Sequence, residues 1–369
     1  MDPQLAASSV ILDSLAEGVY VCDRDRRIVY WNKPAERITG WSAEEVVGRR
    51  CLDNLLCHED KDGRRLCGEE HCPLHRSMAT GAASTVPLIV FAQAKDGQRI
   101  PMQVTVAPIY DEAGVVVGGV ETFREMSTVL GDLMRAKQIQ ELSLEHDLPH
   151  DPRIAFTTAY SPHDIVGGDF YALQRLDADR YGFLLADVMG HGVAAALYTM
   201  HLSSLWSRRS ADLLMPAQFA AGVNRELSRI VRDESFATAI CGTIDASSGC
   251  VRFASAGGPP AIVFRSDDSV EEIEASGVPL GMLEDADYDE VTGELRPGDA
   301  MLLVSDGALE VIAADGAMLG VDGLVRILQT YGYPRSPLPI KAVEAELLRF
   351  SNSIRLQDDV TLIEMRFLT

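Results

Sequence analysis

The stretch "LLADVMGHG" occupies residues 184–192. Apolar residues run directly into Asp187, and a turn holding Gly190 and Gly192 follows before the next apolar run. A buried strand that ends on a carboxylate carries a desolvation cost unless something positive meets it. Related contexts occur elsewhere in the same half of the chain. Asp169 sits in "IVGGDFY", Asp306 in "LLVSDGALE", and Asp358 with Asp359 in "LQDDVTLIEM". Taken singly, each acid is an ordinary turn or cap residue. Taken together, carboxylates converging from strand ends repel one another and take up protons. A hard divalent cation resolves that conflict, and an all-oxygen donor set selects Mg2+ or Mn2+. This half carries neither a His-x-x-x-His nor a Cys-x-x-Cys pattern, which disfavours zinc. Two ions sharing one carboxylate would activate a water and hold a phosphoryl group for in-line attack. The half also lacks a Gly-x-Ser-x-Gly elbow and a Gly-x-x-x-x-Gly-Lys-[Ser/Thr] loop. Metal-assisted hydrolysis is therefore the chemistry to which these residues point.

The whole chain sets the bounds. At 369 residues it is long enough for two or three domains. Its formal net charge of −22 opposes binding to nucleic-acid phosphates or to an anionic membrane surface. The longest uncharged apolar run, Val193 to Trp206, is too short to span a bilayer, and the first residues carry no secretory pattern. Seven cysteines, an odd number, read as reduced thiols of a cytoplasmic protein.

Residues 1–125 read as short strands with helical pieces between them. Strands are expected within 18–32 and, three of them, within 84–125. The segment 33–49 reads as mostly helical, with Ser42 as an N-cap and Glu45 as its capping-box partner. Residues 126–149 form a linker in which Met126, Leu130, Leu133, Ala136, Ile139 and Leu142 recur near helical spacing. Residues 150–369 form a second domain. Strands are expected at 154–160, 180–188, 237–245, 250–255, 261–264, 300–305 and 359–367, and helices at 192–208, 216–233, 322–331 and 339–352.

On these blocks the second domain resembles the PPM-type (PP2C-like) serine/threonine phosphatases, in the branch of SpoIIE and RsbU. The resemblance covers "VGGDFY" (166–171), "ADVMGHG" (186–192), "FATAICGTID" (236–245), "ASAGGPPA" (254–261), "GVPLGM" (277–282), "LLVSDGALE" (302–310) and "DDVTLIEMRF" (358–367), all in order. It implies an α+β protein whose C-terminal domain is a β-sandwich flanked by helices, with two Mn2+ or Mg2+ ions at one end. Asp187 would be the catalytic carboxylate bridging both ions, and the Val188 carbonyl would bind the second. Asp306 and Asp358 would complete the shell of the first ion, and Asp169 would serve the second. Asp359 ranks below Asp358. Eukaryotic members place a histidine where this chain has Met189; His191 is not the matched residue. Their phosphate-gripping arginine has no clear counterpart here. "GGDF" (167–170) is similar to the diguanylate cyclase signature, but its second acid is missing and the other blocks have no place in that fold.

The first domain resembles a PAS sensor over "ILDSLAEGVYVCDRDRRIVYWNKPAERITGWSAEEVVGR" (11–49) and the three closing strands. PAS domains bind ligands or cofactors, or dimerise, so the fold alone names no ligand. Within it, residues 49–76 hold Cys51, Cys57, Cys67 and Cys72 with His58, His71 and His75. That density suits a metal site or a redox switch; the plainer reading is a loop and helix with reduced thiols. Cys22 reads as strand core. The resemblance as a whole implies a protein serine/threonine phosphatase governed by a PAS domain. It would be homodimeric through that domain and the linker, and would act on a STAS-type anti-sigma-factor antagonist. The rivals are a catalytically silent scaffold and a phosphatase of a small molecule or another phosphoprotein.

Overall fold

The computed structural model describes residues 10–368 apart from 52, 54, 61–62, 69–71, 85–87, 145–147, 191, 231–234 and 354–355. The chain divides into two units, Met1–Asp132 and Leu133–Thr369.

The first unit is built on five strands: β1 (Gly18–Asp23), β2 (Ile28–Trp31), β3 (Leu88–Gln93), β4 (Arg99–Tyr110) and β5 (Val116–Glu125). They form one antiparallel sheet in the order β2-β1-β5-β4-β3. Tyr20, Trp31, Met102, Val104 and Phe123 join Leu55, Leu56 and Leu74 of the long connection in one core. The buried Asn32 side-chain oxygen accepts from the Val19 and Ala35 amides at 2.8 and 2.9 Å. It thereby caps the helix Lys33–Thr39, which ends on Gly40 at φ 73°. The capping box on Ser42 and Glu45 is formed, opening a separate short helix, Ala43–Val46. The helical stretch expected at 33–49 is thus broken at the left-handed Gly40.

The second unit contains ten strands: β6 (Ile154–Ser161), β7 (Asp169–Arg175), β8 (Arg180–Val188), β9 (Ala237–Asp245), β10 (Cys250–Ala256), β11 (Ala261–Phe264), β12 (Val270–Ile273), β13 (Val291–Glu294), β14 (Ala300–Val304) and β15 (Val360–Phe367). They form two antiparallel sheets, β13-β10-β9-β8-β7 and β12-β11-β14-β15-β6. Phe183, Leu185, Ile240 and Phe253 of one sheet meet Val263, Met301, Leu303, Ile363 and Met365 of the other. Each such fully buried side chain contributes about 1.5–3 kcal/mol. The helices Val193–Arg209 and Pro216–Leu227 cover the outer face of the first sheet through Leu202, Trp206, Phe219 and Val223. The helices Gly320–Thr330 and Ile340–Phe350 cover the second through Leu324, Leu328, Val343 and Leu347. Both faces of the central strands are therefore dry. This is why β14, "AMLLV", reads as an unbroken apolar run although its sheet is antiparallel. The unit is the helix-flanked sandwich expected from its sequence.

The linker helix runs Ser127–Leu144 and takes in every position of the expected apolar pattern except Met126. Leu144 joins the core beneath the first sheet, and Gln140 is buried with it. Among the described residues no helix is long and apolar enough to cross a membrane.

Candidate metal centre

Strand alternation decides which side chains enter the gap between the sheets. On β8, Leu184, Ala186 and Val188 face the covering helices, whereas Phe183 and Leu185 face the other sheet. Asp187 continues the inward set at the end of the strand. Asp169 opens β7 directly opposite it, as its register partner. In the second sheet, Val304 pairs with Leu362, so the end of β14 and the start of β15 lie side by side. Asp306 follows β14 after Ser305, and Asp358 and Asp359 precede β15. Asp169 and Thr361 join the two sheets: the Thr361 hydroxyl donates to Asp169 Oδ2 at 2.5 Å.

The electrostatics of this end are those of like charges held together. Asp169 is fully buried, and its Oδ1 has no hydrogen-bond partner. Burial and then the Asp187 charge push its carboxyl well above the carboxylate range. Burial and then the Asp306 carboxyl push Asp187 up to about 8. Burial likewise raises Asp306, with the Asp358 charge adding to it. Protons on these crowded carboxylates do the work that a cation does better: the donors are all oxygen, one is orphaned, and the charges acting on them are other acids rather than a lysine or arginine. The residues fit hard divalent ions. Among the described residues no three His, Cys, Asp or Glu side chains already converge as a finished cage.

The adjacent acids Asp358 and Asp359 separate cleanly. Asp359 is 3% exposed, and both of its oxygens are used. Oδ1 accepts from the His163 amide at 2.6 Å and Oδ2 from the Gly168 amide at 2.5 Å. It anchors the loop that delivers Asp169. Asp358 is exposed at the sheet end, and its Oδ1 accepts from the Asp359 amide at 2.8 Å. The two glycines of "VGGD" are required by close approach. A Cβ on Gly167 would lie 2.6 Å from Asp359 Oδ2, and one on Gly168 would lie 2.9 Å from the Val188 carbonyl oxygen. That carbonyl, expected to bind an ion, thus borders the Asp169 loop one residue after Asp187.

Two supporting residues were not singled out from sequence. Thr361 lies within the quoted "DDVTLIEM" block, and its inward parity was the available signal. Gln140 gave none. Its Nε2 donates to the Gly167 carbonyl at 2.7 Å and to Thr199 Oγ1 at 2.9 Å, and its Oε1 accepts from the Gly167 amide at 3.1 Å. The linker helix therefore grips both backbone groups of a residue two positions before Asp169. Met189 is 45% exposed and carries no titratable proton; His191 lies outside the described residues.

The cysteine segment of the first unit is arranged differently from the grouping Cys51, Cys57, Cys67 and Cys72. Cys51 and Cys72 are buried in the core, while Cys57 and Cys67 are half-buried. Cys51 shares that core with Cys22 of β1, a residue read from sequence as core alone. His71 lies outside the described residues.

Comparison with known proteins agrees with this architecture. Residues 8–126 match the model of the PAS fold, and residues 177–368 match that of Stage II sporulation protein E (SpoIIE). Phosphoserine phosphatase RsbP of Bacillus subtilis (strain 168) is 28% identical over 187 residues, covering 50% of this chain and 46% of that protein. Phosphoserine phosphatase RsbU of the same organism is 25% identical over 260 residues, covering 68% and 77%. Among solved structures, the SiaA-PP2C domain of Pseudomonas aeruginosa superposes with a TM-score of 0.57 at 24% identity, covering 66% of this chain and 98% of that one. At that identity the likeness establishes the PP2C-like fold. The first of these relatives is matched over less than half its length and the second over about three quarters. With a family model matched over more than half its residues, the chain belongs to the SpoIIE family and carries a PAS domain ahead of the PP2C-like one.

Proposed function

We propose that this chain is a divalent-metal-dependent phosphatase that hydrolyses phosphoserine or phosphothreonine on a protein. The observation that carries the reading is the Asp169–Asp187–Asp306 cluster at the meeting of two sheets: Asp169 is buried with an orphaned oxygen, Asp187 and Asp306 are half-buried, and all three carboxyls are raised by desolvation and then by neighbouring acids. Asp187, between the other two, is the residue assigned to bridge two Mn2+ or Mg2+ ions. Asp306 and Asp358 would complete one shell, and Asp169 with the Val188 carbonyl would serve the other. When bound, such ions supply a water nucleophile at neutral pH and neutralise the phosphoryl oxygens. The chain's own residues do the positioning. Asp359 and Gln140 fix the loop bearing Asp169, and Thr361 orients its carboxyl. Met189 holds no proton to give, so the departing serine oxygen is not protonated from that position.

Support for a protein substrate comes from the family and from two relatives that are themselves named phosphoserine phosphatases. The finer reading is a STAS-type anti-sigma-factor antagonist as substrate, with regulation by the PAS domain through the linker helix. Gln140 on that helix supports the regulatory part, because a shift of the helix would release Gly167. A homodimer through the PAS domain and linker is part of the same proposal. Val129, Met134, Ile139 and Leu142 of the linker helix are exposed apolar residues that a second copy would cover.

The test is hydrolysis of an aryl phosphate, and then of a phosphorylated STAS protein, by the full chain with Mn2+, Mg2+ or chelator. Metal-dependent turnover absent from Asp187→Asn is the expected result. Metal-independent turnover, or equal turnover in the variant, overturns the assignment.

A further inference from the structure

Beside the aspartates the second unit carries a groove that metal-assisted hydrolysis does not itself need. Its volume is about 610 Å3; Met189, Phe236 and Met282 supply its apolar surface, and Ser228, Ser235 and Glu284 its polar part. Met189 and Met282 are 45% and 47% exposed, and Leu283 beside Met282 is exposed as well. Large apolar side chains held in water around one cavity mark a surface that a partner covers. The chain itself fixes the walls. The Met189 amide donates to the Phe236 carbonyl at 2.9 Å. Ala237 and Leu280 exchange backbone hydrogen bonds at 2.9 and 2.8 Å, which ties the loop before Met282 to the start of β9. Asn224, fully buried on the helix Pro216–Leu227, accepts from the Gly281 amide at 2.8 Å and donates to the Leu283 and Glu284 carbonyls at 2.7 and 3.1 Å. Asn224 thus holds an exposed loop from inside the core. A groove set in place before binding loses little conformational freedom when it is filled.

We propose, resting on the phosphatase reading above, that this groove takes an apolar side chain of the phosphoprotein substrate two residues from the phosphoserine. Three observations choose that occupant. The groove adjoins the aspartates: Met189 follows Asp187 by two residues, so their Cα atoms are at most about 7 Å apart. In an extended peptide, residues two apart are separated by about the same distance and project to one face. A phosphoserine at the aspartates therefore brings its second neighbour to the groove. The lining is adaptable: two methionines and a phenylalanine accept leucine, isoleucine, valine or methionine alike. The rim is charged. Beyond Met282 the loop carries Glu284, Asp285, Asp287 and Asp289, all exposed. They repel an acidic segment and favour lysine or arginine beyond the apolar residue. They equally oppose a second copy of this chain, whose net charge is −22. The preferred segment is thus apolar close to the phosphoserine and basic farther out.

The experiment is fluorescence anisotropy with the full chain in Mn2+ and labelled peptides that carry the non-hydrolysable phosphonate analogue of phosphoserine. One peptide has leucine two residues to either side of the phosphonate and lysine beyond; a second has alanine for leucine, and a third glutamate for lysine. Alanine should weaken binding by about tenfold or more, the scale of burying one leucine side chain. Glutamate should weaken it too, and less so at high salt. Met282→Ser should abolish the preference for leucine over alanine, Met282→Leu should keep it, and Met318→Ser, exposed on a separate loop, should change nothing. Equal affinity for the leucine and alanine peptides, no measurable binding of either, or a leucine preference intact in Met282→Ser would each overturn the proposal. So would a Met282→Ser chain whose only change is a smaller mass in light scattering, because a second copy would then fill the groove. Aryl phosphate turnover by the wild-type chain reads the phosphatase assignment separately. Leucine preference without turnover sinks that assignment and keeps the groove as a phosphopeptide site; turnover without leucine preference sinks the groove alone.

Discussion

Two clusters of ionisable groups can be set side by side: the aspartates at the end of the sandwich, and His58, Glu121 and the thiols in the PAS core. Burial raises the carboxyls in both, Asp187 and Glu121 each to about 8. Their surroundings differ. Glu121 is a single carboxyl beside an imidazole that burial lowers to about 4, so one proton leaves the pair neutral. The aspartates crowd Asp169, Asp187, Asp306 and Asp358 into one end, and Asp187 feels Asp306, Asp358 and Asp359 together. A proton relieves one contact there and leaves the others. The lesson is that burial alone does not mark a metal site; burial plus several like charges does.

The largest effect that tests this contrast is on turnover. Asp187→Asn should lower metal-dependent aryl phosphate hydrolysis by at least about 100-fold, the scale of losing one preorganised charge-stabilising group. A loss under tenfold would remove Asp187 from the centre. The next is on folding and separates the twin acids. Asp359→Ala orphans one buried and one half-buried amide and should cost about 2–5 kcal/mol in denaturant unfolding, while Asp358→Ala should cost under about 1 kcal/mol yet weaken Mn2+ binding. Equal destabilisation by the two would break the distinction.

The third effect is a pH dependence. Because the folded-state pKa of Asp187 lies above its unfolded value, its favourable contribution is complete below about pH 4 and is lost as pH rises through about 8. In chelator, Asp187→Asn should therefore be more stable than wild type at pH 8, on the order of 2 kcal/mol, and the gain should vanish near pH 4. Saturating Mn2+ should reverse the order, since a hundredfold excess over Kd adds about 2.7 kcal/mol to wild type alone. A variant no more stable than wild type in chelator at pH 8 would contradict the like-charge account. Smaller still, Gln140→Ala should cost about 1–3 kcal/mol and weaken Mn2+ binding; unchanged metal affinity would confine Gln140 to a structural role. The smallest is Glu121→Gln in the PAS core. It should shift stability at pH 7 by less than about 1 kcal/mol, because the carboxyl there already holds a proton.

Much of the sandwich was legible because its strands are dry on both faces and announce themselves as apolar runs, β8 and β14 above all. β7 was not read as a strand: "DFYALQR" opens on an acid and closes on charge, and only its pairing with β8 makes it one. β12 and β13, "VEEI" and "VTGE", are short edge strands with too little apolar content to signal. Asp169, Asp187 and Asp306 stood out as acids beside apolar strands, a local pattern. The roles of Thr361 and Gln140 rest on contacts with residues 192 and 27 positions away, which no local pattern encodes. The same holds for Cys51, which only the fold brings into the core that Cys22 joins from β1.

The most direct measurement is Mn2+ stoichiometry by titration calorimetry, with electron paramagnetic resonance on the same samples, comparing the wild-type chain with Asp187→Asn. The account predicts two Mn2+ per wild-type chain, spin-coupled through a shared carboxylate, with the coupling and at least one site lost in the variant. A wild-type chain that binds no Mn2+, or a variant that binds both ions with the coupling intact, would contradict the assignment of the aspartate cluster as a dinuclear metal centre.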